Sequence, residues 1–208
     1  MGRCAYFGSR RRLYCESFRQ GLVLETDRQQ VADDLEIELV EAAASGDLDS
    51  FGKLARQYYP AITAVGYSVV GDHAMAEDAA QECFARAIVS LRSLRNKERF
   101  APWLAAICRN VAKDMLRQKI RRAKLEANTS TANNESGRDS VEAVLKAIGK
   151  LGAADKEVVM LRYYQNLPYE RIAAVMGISP AAVNGRLTRA KRKMAKYLKA
   201  DGFGKERL

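Results

Sequence analysis

Apolar residues recur at three- and four-residue steps along most of the chain after residue 32, which is the pattern of helices with one buried face. The repeats predict helices over 33–44, from Asp47 or Asp49 to Val70, from Asp72 to Leu91 and over 99–122. Pro60 is expected at or near a junction, because proline disturbs a helix interior. The apolar stripes assign Tyr59, Ile88 and Trp103 to the core, although Trp103 has an alternative role in stacking on an unpaired base.

Three stretches lack this pattern, and they divide the chain. Residues 1–32 carry mixed charge without an apolar repeat, so we expect a variable, poorly ordered extension. Residues 123–140 are rich in Asn, Thr, Ser and Glu and predict a flexible linker. Residues 201–208 form a polar tail. The predicted fold class is therefore all-α, with two small helical domains over 33–122 and 141–200 joined by a flexible linker.

The stretch over 167–193 predicts a short helix, a tight turn and a second, strongly basic helix. The first helix would begin after Pro168, and the turn would contain Gly177, a residue suited to positive φ. Ser179 is a suitable N-cap and Pro180 a suitable first residue for the second helix. These signals together indicate that the C-terminal domain is a helix-turn-helix for duplex DNA.

The second helix of this motif carries the side chains expected at DNA. Its apolar positions turn inward and leave the other surface to Asn184, Arg186, Thr188, Arg189, Lys191 and Arg192. Arg and Asn can make bidentate contacts with guanine and adenine when such a helix lies in the major groove. The alternative is an ordinary helical hairpin with a solvated basic face. The small Ala173 at the helix crossing, the turn glycine and the N-cap all favour the DNA-binding motif.

Positive charge is concentrated in two blocks of the sequence. The net charge of +10 divides into −6 over 1–82, +10 over 83–124, −1 over 125–150 and +7 over 151–208. Two basic blocks separated by a near-neutral segment predict contact with a polyanion at two places.

Two of the predicted helices also carry distinct polar faces. Glu77, Asp78, Gln81 and Glu82 share one face, which is either a solvated surface or a partner-docking surface. On the helix over 99–122, a row of cations at four-residue steps has polar neighbours: Arg109, Lys113 and Arg117, beside Asn110 and Asp114. Like charges at this spacing repel by roughly 0.2–0.5 kcal/mol per pair, so we expect an anion to lie against them.

The composition argues against several classes of protein. No apolar run approaches the roughly 18 residues of a membrane span, and no apolar segment follows the arginines at 10–12, so we expect a cytoplasmic protein without membrane insertion. Four cysteines without a CxxC pair and a single His73 do not form a metal site, and we expect no cofactor. Cys83 and Cys108 lie in apolar patterns and are expected in the core. Without a nucleophile and base set, an enzyme is not expected.

The motifs and their order resemble a known family. The segments AEDAAQECF (76–84), RFAPWLAAICRNVAKDMLR (99–117) and LRYYQNLPYERIAAVMGISPAAVNGRLTRAKRKM (161–194), with a polar linker between the second and third, resemble the extracytoplasmic-function group of the sigma-70 family of RNA polymerase sigma factors. The resemblance implies a transcription initiation factor whose partners are core RNA polymerase, at its clamp and flap, and promoter DNA. Residues 36–120 would read and melt the −10 element, and residues 141–199 would bind the −35 element.

The resemblance also implies roles for individual residues. The polymerase-binding positions are Glu77, Asp78, Gln81, Glu82 and Phe84. The positions at the −10 element are Arg99, Arg109, Asn110, Lys113, Asp114 and Arg117, and the loop over 93–100 would capture a flipped base. The positions at the −35 element are Ser179, Ala182, Asn184, Arg186, Thr188, Arg189 and Arg192.

Some residues depart from the family pattern, and other functions stay open. The family more often has larger or differently shaped side chains at three positions of this chain, Ala79, Ala80 and Cys83. In the second helix of the motif, Gly185 lowers helix stability by about 1 kcal/mol relative to alanine. An autonomous helix-turn-helix transcriptional regulator is an alternative, but it leaves the basic block over 83–124 unexplained. An enzyme acting on nucleic acid is a second alternative that lacks a catalytic set. The family also allows an anti-sigma factor as a partner, and the sequence does not decide whether one exists.

Overall fold

The computed structural model of the protein describes residues 34–126 and 139–200. Within these two ranges every regular element is helical, which confirms the predicted all-α class. The predicted extension over 1–32, residues 127–138 of the predicted linker and the tail over 201–208 lie outside the described residues.

Eight helices make up the described chain, and three short turns connect some of them. The helices are α1 (34–45), α2 (Leu48–Val70), α3 (His73–Ser90), α4 (Phe100–Glu126), α5 (Asp139–Gly149), α6 (Ala153–Val159), α7 (Tyr169–Met176) and α8 (Pro180–Ala200). Two 3₁₀ turns, Leu91–Ser93 and Lys97–Arg99, lead from α3 to α4. A π-helical turn, Met160–Tyr164, continues α6.

The ends of the first helices follow the signals in the sequence. Asp47, rather than Asp49, caps α2, because its carboxylate accepts hydrogen bonds from the backbone N–H groups of Asp49 and Ser50. Gly71 ends α2 with φ of 69°, and the Asp72 carboxylate accepts from the backbone N–H of Met75 at 2.9 Å. These caps determine where α3 begins and hence which of its residues face outward.

The prediction for Pro60 was wrong, since α2 runs through it without a break. Proline costs about 3 kcal/mol in a helix interior. The apolar residues on both sides of it, Tyr58 and Ile62 nearest, are nevertheless buried in the same core. Keeping both sets buried outweighs the local cost of the proline.

Two residues predicted in the core, Tyr59 and Ile88, lie on the surface instead, with 36% and 37% of their area exposed. Both lie at the margin of an apolar stripe, where periodicity alone does not separate inside from outside. Trp103 is half-buried and packs against the core beside Phe100, with the ring centroids 5.9 Å apart, as expected for a core residue. Helix α4 continues to Glu126, past the predicted end at 122, because its last turn consists of good helix formers.

Helices α1–α4, which we call the N-terminal module, and α5–α8, the C-terminal module, share one cluster of buried residues. Helices α2 and α4 contact α6, α7 and the π-helical turn, and we call this contact the packing interface. The apolar repeats predict the buried face of each helix but not this contact between modules. The positions of the domain boundaries remain predictions.

Candidate nucleic-acid and partner-binding surfaces

Helix α3 presents an acidic face to solvent. Asp78 and Gln81 are exposed, and Glu77 and Glu82 are half-buried. On the opposite side Ala79 and Ala80 are fully buried, which brings α3 close to its neighbouring helices. Glu82 pairs with Arg86 at 2.7 Å and Glu77 with His73 at 3.5 Å, and both are exposed pairs that contribute little to stability. The face is therefore available to a basic partner.

Phe84, to which the resemblance gives a role in polymerase binding, belongs to the apolar stripe of α3 and lies in the core, only 9% exposed. Its ring packs edge-on against Phe51, with centroids 6.4 Å apart, and stacks with Tyr59 at 6.3 Å. The exposed large apolar residues of α3 are Ile88 and Val89, and Tyr59 of α2 is exposed where it stacks on Phe84.

Helix α4 carries the polar row predicted at the −10 element. Asn110, Lys113, Asp114 and Arg117 are exposed, and Arg117 pairs with Asp114 at 2.9 Å within the helix. Arg109 differs from the rest of the row, because its side chain is only 27% exposed. The structure thus leaves most of the row accessible and covers its first cation.

Arg109 is covered by Glu157 from α6. The guanidinium Nε and Nη2 atoms each donate to one carboxylate oxygen of Glu157, both at 2.8 Å. Hydrogen bonding to Glu157 raises the pKa of Arg109. The Glu157 side chain is 7% exposed, and among the described residues no other charged residue is buried. The sequence has no signal for this pair, because the two residues lie far apart along the chain.

The segment between α3 and α4, expected to capture a base, is built from two tight turns. The Asn96 side chain accepts from the backbone N–H of Glu98 at 2.9 Å, and the Lys97 ammonium donates to the Leu94 carbonyl at 2.6 Å. Arg99 is exposed at the end of the second turn. This segment lines one wall of a cleft of about 730 Å³ whose other wall is the turn between α7 and α8.

Helices α7 and α8 form the predicted helix-turn-helix. Gly177 adopts φ of 64° in the turn, and Ser179 Oγ accepts from the backbone N–H of Ala182 at 3.2 Å. The inward positions of α8 are buried, as predicted: Val183, Leu187 and Ala190. The residues predicted at the −35 element share the outward face, where Arg186 is half-buried and the others are exposed: Ser179, Ala182, Asn184, Thr188, Arg189 and Arg192. The motif therefore presents the surface that a major groove requires.

A second polar cluster joins the two modules through Glu36 of α1. Its carboxylate accepts from Gln57 Nε2 at 2.7 Å, from the Tyr58 hydroxyl and from Arg171 Nη1 at 3.1 Å. The Arg171 guanidinium lies 4.8 Å from the centroid of the Tyr58 ring. Burial raises the pKa of Tyr58, and Glu36 raises it further, so this hydroxyl stays a donor.

Comparison with known proteins defines the family of this chain. Residues 54–122 match the sequence profile of Sigma-70 region 2, and residues 141–194 match that of Sigma-70, region 4. The chain is 34% identical to the ECF RNA polymerase sigma factor BldN of Streptomyces coelicolor, over 79% of this chain and 66% of BldN. It is 30% identical to the RNA polymerase sigma-H factor of Pseudomonas aeruginosa, over 77% of this chain and 92% of that protein.

The chain belongs to the extracytoplasmic-function group of the sigma-70 family. The structure of this sigma factor also resembles that of CnrH in complex with the cytosolic domain of CnrY. The TM-score is 0.54 at 29% identity, and the match covers 80% of this chain and 98% of CnrH.

Three further properties of the described part of this sigma factor concern membranes, metals and cysteines. No described helix has the length and apolar character needed to cross a membrane. Within residues 34–126 and 139–200 there is no group of three or more His, Cys, Asp and Glu side chains placed to hold a metal ion. Cys83 and Cys108 are fully buried, as predicted, and their thiols donate to the carbonyls of Leu104 and Ile62.

Proposed function

We propose that this sigma factor binds core RNA polymerase and directs promoter-specific initiation by recognising −10 and −35 elements. The observation that carries the proposal is the arrangement of three surfaces on one chain. An acidic face on α3, a cationic row on α4 and a basic recognition helix α8 occur together, in the order of sigma regions 2 and 4.

Each surface has a chemistry that suits one role. The acidic face of α3 (Glu77, Asp78, Gln81 and Glu82) binds the polymerase clamp, because an exposed carboxylate cluster attracts a basic partner. Helix α8 lies in the major groove of the −35 element, where Asn184 and Arg189 reach base edges. The C-terminal module also contacts the polymerase flap.

The cationic row of α4 and the preceding turns act at the −10 element. Arg109, Lys113 and Arg117 neutralise phosphates of the separated strand, while Arg99 and its neighbours receive a flipped base. Extruding a base costs on the order of a few kcal/mol in lost stacking, so contacts between the base and the site that receives it have to offset that free energy. The polymerase carries out the chemistry, and the sigma factor contributes recognition and strand separation. We accordingly keep the cytoplasm as the proposed location, since the polymerase is the partner.

We also propose an anti-sigma factor as a protein partner. CnrH, which has a similar fold, forms a complex with the cytosolic domain of CnrY. Such a partner would control access to the same polymerase- and DNA-binding surfaces.

Run-off transcription tests the proposed function. Purified core RNA polymerase and this chain are combined with the genomic fragment upstream of its own gene and with a pool of other promoter fragments. Discrete transcripts that disappear when the chain is left out are expected, and their start sites define the −10 and −35 sequences. If the polymerase neither binds the chain nor gains promoter specificity across the pool, the proposal is wrong. Binding to palindromic duplex sites without polymerase would then identify an autonomous regulator.

A further inference from the structure

We propose that the basic end of α4, residues 117–125, binds the phosphate backbone of the duplex DNA that lies between the −10 and −35 elements. The inference rests on the proposed function, because it uses the roles given there to α4 and α8. It adds a third contact with the promoter. It also gives a partner to four cations that the family resemblance leaves without a role, Lys119, Arg121, Arg122 and Lys124.

Helix α4 leaves the body of the protein in its last turns. Buried residues recur along its first half, up to Val111 and Ala112. From Arg117 to Leu125 every residue is exposed, so no side of this stretch packs against another helix. Most helices in proteins are stabilised by an apolar face that packs on a core. The core of this protein therefore does not explain why the helix continues.

The basic end of α4 has five cations and no acidic residue. Lys119 lies 3.8 Å from Asp72 in an exposed pair, and no described acidic residue pairs with Arg121, Arg122 or Lys124. Like charges three or four residues apart repel by roughly 0.2–0.5 kcal/mol per pair. The helix dipole favours cations within the last turn alone, so it accounts for Lys124 but not for Arg121. An anionic partner is the simplest explanation of the whole set.

The basic end continues the row of cations that we assign to the −10 element. Lys113, Arg117, Arg121 and Lys124 follow one another at steps of four, four and three residues, which places them on one face of α4. At a rise of 1.5 Å per residue, this face extends over about 16 Å. Duplex DNA carries about one negative charge per 1.7 Å of its axis, so several phosphates can lie along such a face. DNA that continues past the −10 row meets the last two cations.

The position of the basic end favours duplex DNA over a separated strand. The turns proposed to receive a flipped base adjoin the start of α4, and the basic end lies at the other end of this 27-residue helix. Helix α8 is proposed to read a major groove, so the DNA has to be double-stranded again before it reaches the −35 element. Proteins that hold single strands stack bases on aromatic side chains, and residues 117–125 include none.

The distribution of apolar residues argues against a membrane surface as the partner. Ile120 and Leu125 are exposed, but they are five residues apart and point to different sides of the helix. A helix that lies on a lipid surface needs one continuous apolar face. Charge without such a face is typical of contact with a phosphate backbone.

The test compares two charge-neutralised variants of the full chain, each combined with core RNA polymerase. Arg121→Gln/Lys124→Gln removes two cations of the basic end, and glutamine keeps the helix because its helix propensity is similar. Lys53→Gln/Arg56→Gln is the matched control, since it removes the same charge from an exposed part of α2. The probe is the fluorescein-labelled promoter duplex found by run-off transcription, and fluorescence anisotropy measures its affinity at several salt concentrations.

The variant of the basic end should bind this probe roughly tenfold more weakly than the wild type at 0.1 M salt, because two phosphate contacts are lost. The slope of log affinity against log salt concentration should fall by about 2. The control variant should keep the affinity and the salt slope of the wild type.

A second probe locates the contact on the DNA. It carries uncharged methylphosphonate linkages in the part of the spacer next to the −10 element, while both elements keep their phosphates. The wild type should bind this probe roughly tenfold more weakly than the native one, as expected for two lost phosphate contacts. The variant of the basic end should lose nothing further, because two changes to one contact are not additive.

The outcomes separate this inference from the proposed function. If the wild type directs specific transcription but the variant binds the native probe like its control, or the two losses add, the inference is wrong and the proposed function stands. If the wild type gives no start-site-specific transcript, the proposed function is wrong and the inference falls with it. Loss of binding to phosphatidylglycerol vesicles, with unchanged DNA affinity, would instead identify a membrane-binding surface and contradict the inference.

Discussion

At the scale of single residues, Gly185 has no structural requirement that explains it. It lies within α8, where glycine is unfavourable, yet a Cβ at this position would meet only the Arg189 guanidinium at 3.6 Å. That group ends a flexible side chain and can move. The packing of the protein itself therefore does not require a glycine here. A side chain at this position would instead affect how closely the proposed DNA-binding helix can approach the groove.

We expect Gly185→Ala to raise the free energy of unfolding by about 1 kcal/mol, as measured by urea denaturation, because alanine loses less backbone entropy in a helix. Gly52→Ala in α2 is a suitable control, since its Cβ would likewise meet only an arginine tip at 3.6 Å. If the groove approaches the backbone of α8 closely, only Gly185→Ala weakens binding to the −35 duplex. Unchanged affinity would show that the glycine is merely tolerated.

The two buried cysteines should be chemically inert in the folded protein. The neighbouring Cys108 thiol and burial raise the pKa of Cys83, and the thiolate is the reactive form. Iodoacetamide should therefore label Cys83 and Cys108 only in denaturant, as followed by mass spectrometry of tryptic peptides. Labelling of either residue in native buffer at the rate of a free thiol would contradict the packing of α3 against α4.

At the scale of elements, the contact between α2 and α3 depends on Gly66. A Cβ there would lie 3.1 Å from the backbone oxygen of Ala76 and 3.4 Å from its Cα. Backbone atoms cannot move aside without shifting the whole helix. A glycine-to-alanine substitution is therefore expected to destabilise the protein at Gly66 and to stabilise it at Gly185. Helix propensity alone favours alanine at both positions.

We expect Gly66→Ala to lower the free energy of unfolding by about 1–3 kcal/mol, the usual cost of overpacking a core. Gly52→Ala in the same helix is the control, and the two variants should move the midpoint of urea unfolding in opposite directions. A stabilised Gly66→Ala protein would mean that α2 and α3 are not packed so closely.

At the scale of the whole molecule, the surfaces proposed to bind polymerase and the −35 element lie on different modules, so a substitution in one should leave the activity of the other intact. Glu82→Ala should weaken binding to core polymerase and leave binding of the full chain to −35 duplex unchanged. Arg189→Ala should have the reverse effect, with a loss of roughly 1–3 kcal/mol in DNA affinity if its contact is bidentate. Pull-down with core polymerase and anisotropy with duplex DNA measure the two activities. Equal loss of both activities in both variants would contradict this division of roles.

Much of the local structure followed from the sequence, because its causes are local. Asp72 caps α3, Gly177 takes the left-handed conformation and Ser179 caps α8, each as its neighbours in the chain require. Residues at stripe margins and the proline inside α2 were predicted less well, since their position depends on how much apolar surface the other helices bury. Phe84 lies in the apolar stripe of α3 and packs inside as that stripe predicts, while its role in polymerase binding stays a prediction.

The sequence by itself determined the helices, the helix-turn-helix and the two basic blocks, because periodicity, caps and charge are properties of neighbouring residues. Only the tertiary structure decided which polar groups have partners. Arg109 and Glu157 are 48 positions apart, and Glu36 and Arg171 are 135 apart, so no repeat or spacing connects them. A charge on a helix face looks the same in the sequence whether it meets water, DNA or a buried carboxylate. Its environment depends on how the two modules pack, and that packing covers Arg109, the first cation of the row predicted at the −10 element.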